Sequence, residues 1–339
     1  MKYNIIKCLI VTLLGAIVWA SCSNEFDLID AYKDIPVVYG VLSPQDTAHY
    51  IRVERAFIDA KTSALVLAQR PDSLYYKDAT VQIQNVASGQ IFTLLKVDGN
   101  LEGYVRDTGI FAAAPNFLYK IKSSELMLQG GKKYKLIIKR AGSDKNLVEA
   151  TTEVADSIKI TAPNQFESSR WIYDNLFSFT WGFSNQNTNL FDVSIAINYD
   201  EYDASTPAVL VAKTQVLDIA KRLTPADLNA STFTYREMGI DLYKLLGNAI
   251  AAAPNKRRIF RTYDVIVKGG GKELLQYISV GKANSGLTGS ELPPTFTNIN
   301  GGYGIFSSVS TKIKKGYTIH PLTRDSIVNG IYTKQLNFQ

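Results

Sequence analysis

From Pro36 onward, apolar and polar residues alternate along much of the chain. In His49-Tyr50-Ile51-Arg52-Val53-Glu54-Arg55, Ile51 and Val53 fall on one side and Arg52 and Glu54 on the other. A period of two is the signature of a strand with one face buried. The same reading applies to Pro36-Val37-Val38-Tyr39-Gly40-Val41-Leu42 and to residues 80–86, 91–95, 117–121, 134–139 and 148–154. Turn-forming residues separate these runs, at Ser43-Pro44-Gln45-Asp46, Ser88-Gly89, Asp98-Gly99-Asn100, Gly130-Gly131 and Gly142-Ser143-Asp144. Short strands spaced this way predict a mainly β chain, with an antiparallel sandwich of immunoglobulin-like or transthyretin-like kind over residues 36–155.

The pattern changes character after Asp156. Phe177-Ser178-Phe179-Thr180-Trp181 and Val193-Ser194-Ile195-Ala196-Ile197 alternate as strands, joined by a polar turn from Ser184 to Asn189. Residues 209–216, 259–267 and 303–310 are further strand candidates. Leu242, Leu245, Leu246, Ala249 and Ile250 instead recur at helical spacing, with Asp241 at the start and Pro254 beyond the end; this predicts a helix near 241–253. Leu274, Tyr277 and Ile278 repeat that spacing after Gly269-Gly270-Gly271 and predict a second helix near 272–282. Residues 156–339 are therefore expected to form a β-rich domain with two packed helices, and Glu291-Leu292-Pro293-Pro294 a rigid connector.

The N-terminus follows other rules. Lys2 and Lys7 precede an apolar run from Cys8 to Ala20, which ends at Trp19-Ala20-Ser21-Cys22. That run is shorter than the roughly 20 residues a spanning helix needs and has the layout of a cleaved secretory signal. It resembles a bacterial lipobox, which implies a signal peptide over 1–21, a lipid on Cys22 and a tether over 22–35. Cys8 and Cys22 are the two cysteines of the chain. The processed protein is therefore expected to have no disulfide and to depend on core burial, which 339 residues can supply. Losing Lys2 and Lys7 lowers the formal net charge from +6 to +4, too mild a balance to imply nucleic acid as a partner.

Val38-Tyr39-Gly40-Val41-Leu42, a turn, and His49-Tyr50-Ile51-Arg52-Val53 together resemble the opening of an uncharacterised outer-membrane lipoprotein family of Bacteroidota. Asn298-Ile299-Asn300-Gly301-Gly302-Tyr303-Gly304-Ile305-Phe306 resembles the Asn-Ile-x-Gly-Gly-x-Gly-x-Phe segment near that family's C-terminus. The family is a domain of unknown function, similar in setting to lipoproteins that accompany TonB-dependent receptors. The resemblance implies an outer-membrane location, a partner-binding role and no transferable catalytic residues.

Few residues suggest chemistry. The chain has two histidines, His49 and His320. It has no Gly-x-Ser-x-Gly elbow to present a nucleophile, and no cysteine–histidine cluster for zinc. Asp200, Glu201 and Asp203 follow a strand and form a weak calcium candidate; a solvated turn is the plainer reading. Lys256-Arg257-Arg258 with Arg261 is either a lipid-headgroup contact or a solvated loop. Gly269-Gly270-Gly271-Lys272 lacks the hydroxyl residue of a P-loop, since Glu273 stands in its place. Trp171 and Tyr173 are candidates for stacking a sugar or peptide, against core packing between the domains. Thr47, Ser73, Ser157 and Ser326 each follow Asp in a pattern that resembles the O-glycosylation acceptor of exported Bacteroidota proteins. The expectation is a lipid-anchored, non-enzymatic binding protein without a cofactor; a surface glycosidase or peptidase with dispersed carboxylates, and a structural adhesin, are the alternatives.

Overall fold

The computed structural model describes residues 35–56, 62–183, 187–227, 230–283 and 295–339. Cys22, the signal peptide, nearly all of the tether, part of the 184–189 turn and the 291–294 connector lie outside the described residues.

The first sandwich is built from β1 (Ile35–Leu42), β2 (Ala48–Ala56), β3 (Ala79–Asn85), β4 (Ile91–Thr93), β5 (Leu95–Asp98), β6 (Phe117–Lys122), β7 (Lys133–Arg140) and β8 (Asn146–Glu153). Two short helices, α1 (Ala64–Ala68) and α2 (Pro71–Leu74), sit between β2 and β3. One sheet carries β1-β2-β6-β5 and the other β4-β3-β7-β8. The predicted strand at 91–95 divides between them. Leu94 is buried at the break, β4 pairs with β3 and β5 pairs with β6. Val38, Ile51, Val53, Val81, Ile83, Leu136 and Ile138 fill the space between the sheets, as the alternation predicts.

The second sandwich comprises β9 (Ile158–Ala162), β10 (Leu176–Phe183), β11 (Thr188–Asp203), β12 (Val211–Leu223), β13 (Thr232–Met238), β14 (Lys256–Gly271) and β15 (Tyr303–Tyr317). Its helices are α3 (Gly239–Ala249), α4 (Lys272–Ala283) and α5 (Pro321–Asn329). The first two match the expected helices, although α3 ends earlier than 253; α5 was not foreseen. The strands β13-β10-β9 form one layer, and β12-β11-β14 with part of β15 form the other. Trp171, Phe179, Trp181, Phe191, Leu242 and Tyr263 are buried in this core.

The two halves are not independent, contrary to the division at 155/156. Residues 303–308 of β15 pair in parallel with residues 37–42 of β1, and residues 309–317 pair with β14. One strand thus completes the first sandwich and then the second, so an eight-stranded sheet runs through both. At the crossing Ser308 is fully buried. Its Oγ accepts from the Ala155 N–H at 2.8 Å and donates to the Glu153 carbonyl at 2.9 Å. The β1–β2 turn clasps the same place, with Gln45 accepting from the Thr311 N–H at 2.9 Å.

The segment 298–306 makes this closure. The Asn298 side chain accepts from the Phe306 N–H at 2.9 Å and donates to the Phe306 carbonyl at 2.6 Å. Asn300 exchanges two backbone hydrogen bonds with Glu149 of β8, and Ile299 and Phe306 are buried in the first core. Gly304, at φ +110°, lies so close to β1 that an added Cβ would fall on the Val38 carbonyl oxygen. Gly269, Gly270 and Gly271 end strand β14, which runs directly into α4. A Cβ at Gly270 would meet Leu274 at 2.9 Å, so the glycines let α4 pack tightly against the sheet.

His49 is 2% exposed, with Nε2 3.3 Å from Ser123 Oγ. The Ser123 hydroxyl donates to the Asp46 carbonyl, which leaves its oxygen to accept from the imidazole. Burial pushes the His49 pKa below 6.5. The unfolded chain therefore takes up a proton that the folded protein resists. The stabilisation is complete above pH 6.5 and is lost as pH falls through the folded value. Urea midpoints are expected to decline from pH 7.5 to pH 5.5, and His49→Gln should flatten that decline; an unchanged slope would remove His49 from the account.

Candidate functional site

Most candidate residues taken from the sequence are structural. Trp171 is 2% exposed, with ring centroids of Tyr243 and Tyr263 at 6.1 and 5.4 Å. Its backbone N–H donates to Thr323 of α5 at 2.9 Å, and its carbonyl accepts from the Tyr243 hydroxyl at 2.6 Å. Tyr173 stacks on Tyr243 with centroids 4.8 Å apart. This corrects the stacking-platform reading, because α5 covers Trp171. The alternative of packing between domains is also displaced, since Trp171 lies within the second core.

The acidic and basic clusters answer each other. β11 extends through Asp203, so these carboxylates lie on the strand rather than after it, and its acidic end pairs with the start of β14. Arg261 meets Asp200 at 2.6 Å, Lys256 meets Asp203 at 3.5 Å, and Glu201 lies 2.9 Å from Arg258 and 3.2 Å from Lys213. Burial works to raise the Glu201 pKa, but the hydrogen bonds from Lys213 and Arg258 outweigh it and hold the carboxyl below its usual range. The strand's pleat sends Asp200 and Glu201 to opposite faces. These carboxylates therefore do not converge as a calcium site, and no metal-holding cluster occurs among the described residues. The basic run is a strand segment rather than a solvated loop, with Lys256, Arg258 and Arg261 in ion pairs and Arg257 donating to the Pro254 carbonyl at 3.0 Å.

The remaining candidates are ordinary. His320 begins α5, with Nδ1 accepting from the Leu322 N–H at 3.2 Å. Thr47 and Ser157 are exposed. Ser73 lies within α2, and Ser326 lies within α5 with its hydroxyl donating to the Leu322 carbonyl at 3.0 Å. Thr47 and Ser157 are thus the two exposed hydroxyl residues of the four.

The site that stands out is the outer face of the first sandwich, where β1 and β2 form the floor of a cleft of about 590 Å³. Alternation placed Arg52 and Glu54 on this outer side. What the pattern did not reveal is that the 99–116 loop and α2 rise around them, bringing Arg106, Phe111 and Leu74 to the cleft. Arg52 and Arg106 each donate through Nη1 to the same Glu54 oxygen, Oε1, at 3.1 and 2.8 Å. Arg52 Nη1 also reaches Asn116 at 2.8 Å, and Arg106 Nη1 reaches the Tyr75 hydroxyl at 2.9 Å. The side chains are only 24%, 16% and 12% exposed for Arg52, Arg106 and Glu54. Arg55 stands beside them, its guanidinium donating to the Ser73 and Asp72 carbonyls.

Two protonated phenols complete the setting. Burial pushes Tyr39 above its usual range, with Tyr277 acting in the same direction. Burial also pushes Tyr75 up, against the opposing pull of the Arg106 guanidinium. Both therefore stay protonated at neutral pH, Tyr39 at the cleft and Tyr75 buried behind Arg106. The cleft thus combines three guanidiniums and one carboxylate with apolar walls from Val37, Ala56, Leu74 and Phe111. Such a mixture of apolar walls and a few convergent polar groups is the usual make-up of a ligand site.

Comparison with known proteins gives no function. No curated protein matches the chain. Among solved structures, the chicken interferon gamma receptor alpha chain shares 8% identity, with 72% of this chain and 93% of that one covered, at a TM-score of 0.18. The C-terminal globular domain of an oligosaccharyltransferase from Pyrococcus abyssi shares 9%, with 83% of this chain and 46% of that one covered, at 0.22. Superpositions this poor carry no argument. A family model matches residues 23–315, and the chain belongs to the family it describes, a domain of unknown function (DUF4249).

Proposed function

We propose that this protein is a non-enzymatic outer-membrane lipoprotein of Bacteroidota, anchored through Cys22, that binds a ligand or partner as an accessory to a TonB-dependent receptor. The observation that carries the binding role is the cleft over β1 and β2, where guanidiniums and apolar walls converge on a space open to solvent. The N-terminal pattern supports the anchor. A glycosidase working through two facing acids is disfavoured, because among the described residues Glu54 is the one carboxylate lining this cleft and two arginines hold it.

The test is affinity purification of the tagged native protein from detergent-solubilised outer membranes, with co-purifying proteins identified by mass spectrometry. A stoichiometric TonB-dependent receptor is the expected result. A protein without partners, whose deletion leaves uptake and receptor abundance unchanged, would overturn the accessory role.

A further inference from the structure

A second cavity adjoins the cationic cleft. It measures about 340 Å³ and is lined by Tyr39, Tyr277, Val280, Thr295, Phe296 and Tyr303, among others. Tyr39 of β1 lines both cavities, so its ring borders an aromatic space on one side and a cationic one on the other. Helix α4, carried on the tightly packed end of β14, forms the aromatic wall; the 99–116 loop forms the cationic one.

We infer that the two spaces act as one groove and bind a small organic anion, its carboxylate or phosphate on Arg52 and Arg106 and its ring laid along Tyr39 into the aromatic cavity. The inference rests on the binding role proposed above and names the class of ligand. Charge is the first argument. Among the described residues, Arg52, Arg55 and Arg106 line the cleft with one carboxylate, Glu54, and Arg55 also faces Asp78, so the cleft keeps a net positive charge. The second argument is unused hydrogen-bonding capacity. Each guanidinium offers five N–H donors in a planar fork. Arg52 and Arg106 engage Glu54, Asn116 and Tyr75 through Nη1 alone. Among the described residues, their Nε and Nη2 atoms have no hydrogen-bond acceptor, although both side chains are mostly buried. Free guanidinium edges of this kind suit bidentate recognition of carboxylate or phosphate. Glu54 then serves to orient the two arginines, and Phe111 packs against Arg106, with the guanidinium carbon 5.1 Å from the ring centroid.

The third argument concerns the body of the ligand. Tyr39 is 40% exposed and Tyr303 49% exposed, large rings left uncovered beside Phe296 at the end of the groove. Planar or sugar rings stack on such surfaces. An anion with no ring would leave that half of the groove unfilled.

Ligand-observed NMR and calorimetry on the purified full chain in nanodiscs test this with three probes: 4-phenylbutyrate, phenyl phosphate and the neutral 4-phenylbutyramide. At least one anion is expected to bind tenfold or more tighter than the amide, and which one does so separates carboxylate from phosphate recognition. Arg106→Gln should weaken that anion at least tenfold, and Arg106→Lys should give an intermediate loss because the charge stays and the fork is lost. Tyr39→Ala should weaken the anion and the amide by similar factors. Urea midpoints of the variants establish that they fold. Failure of both anions to bind, or wild-type affinity in Arg106→Gln, would overturn the inference. If a receptor still co-purifies in that case, the accessory role survives and only the ligand class falls.

Discussion

Alanine at Gly304 is expected to destabilise the protein by at least about 3 kcal/mol and to make it accumulate poorly. Two costs combine at this position. The backbone sits at φ +110°, a region that residues with a Cβ rarely enter. The added Cβ would also fall on the Val38 carbonyl, so β15 would have to separate from β1 to admit it. That separation would weaken the 303–308 pairing and draw Phe306 out of the first core. Urea denaturation of Gly304→Ala beside Tyr303→Ala is the measurement. Tyr303 is half exposed, and its truncation should cost less than about 1 kcal/mol. Similar losses in the two variants would show that the close approach to β1 is not what the glycine protects.

Arg258→Ala is expected to cost about 3 kcal/mol or more, because it strips several buried groups of their donor at once. The Arg258 side chain is 4% exposed. Nη1 donates to the Leu336 carbonyl at 2.6 Å, Nη2 to the Ala251 carbonyl at 3.1 Å, and Nε to Glu201 at 3.0 Å. One side chain thus ties the end of α3, the C-terminal segment and the β11–β14 pair together. Lys213 still neutralises Glu201 in the variant, so the larger share of the loss falls on the orphaned carbonyls. Arg258→Met, which restores volume without donors, should therefore remain destabilised by urea denaturation. If Arg258→Met unfolds at the wild-type midpoint, packing rather than hydrogen bonding explains the residue.

Alternation predicted most strands, because each has one face on a core and the pleat repeats every two residues. It missed β9, which has only five residues, and β13, none of whose residues is fully buried, and it ran β4 and β5 together because Leu94 keeps the apolar count high where the chain changes sheets. Helix α5 escaped because its nine residues bury only Thr323 and Ile327, too little to mark a periodic face. Pro321 was the available signal, since proline favours the first helical position. The acidic and basic clusters were each legible, but their pairing was not; Arg258 and Glu201 are 57 positions apart, and only the antiparallel register brings them together. The groove was half legible. Arg52, Glu54 and Tyr39 lie on faces that alternation assigns, whereas Arg106 and Tyr277 arrive from a loop and a helix whose docking no local pattern encodes.

The route of β15 also sets the order in which the chain can fold. Its hydrogen bonds to the β1–β2 turn span 266 positions, and contacts this distant in sequence form slowly. A ribosome adding roughly 5–20 residues per second would leave the edge of β1 bare for on the order of tens of seconds. During that interval Val38, Ile51 and Val53 would lack the Phe306 ring that covers them in the finished core. Late closure has a further consequence: arrival of the final strand, which pairs with both β1 and β14, sets both halves at once.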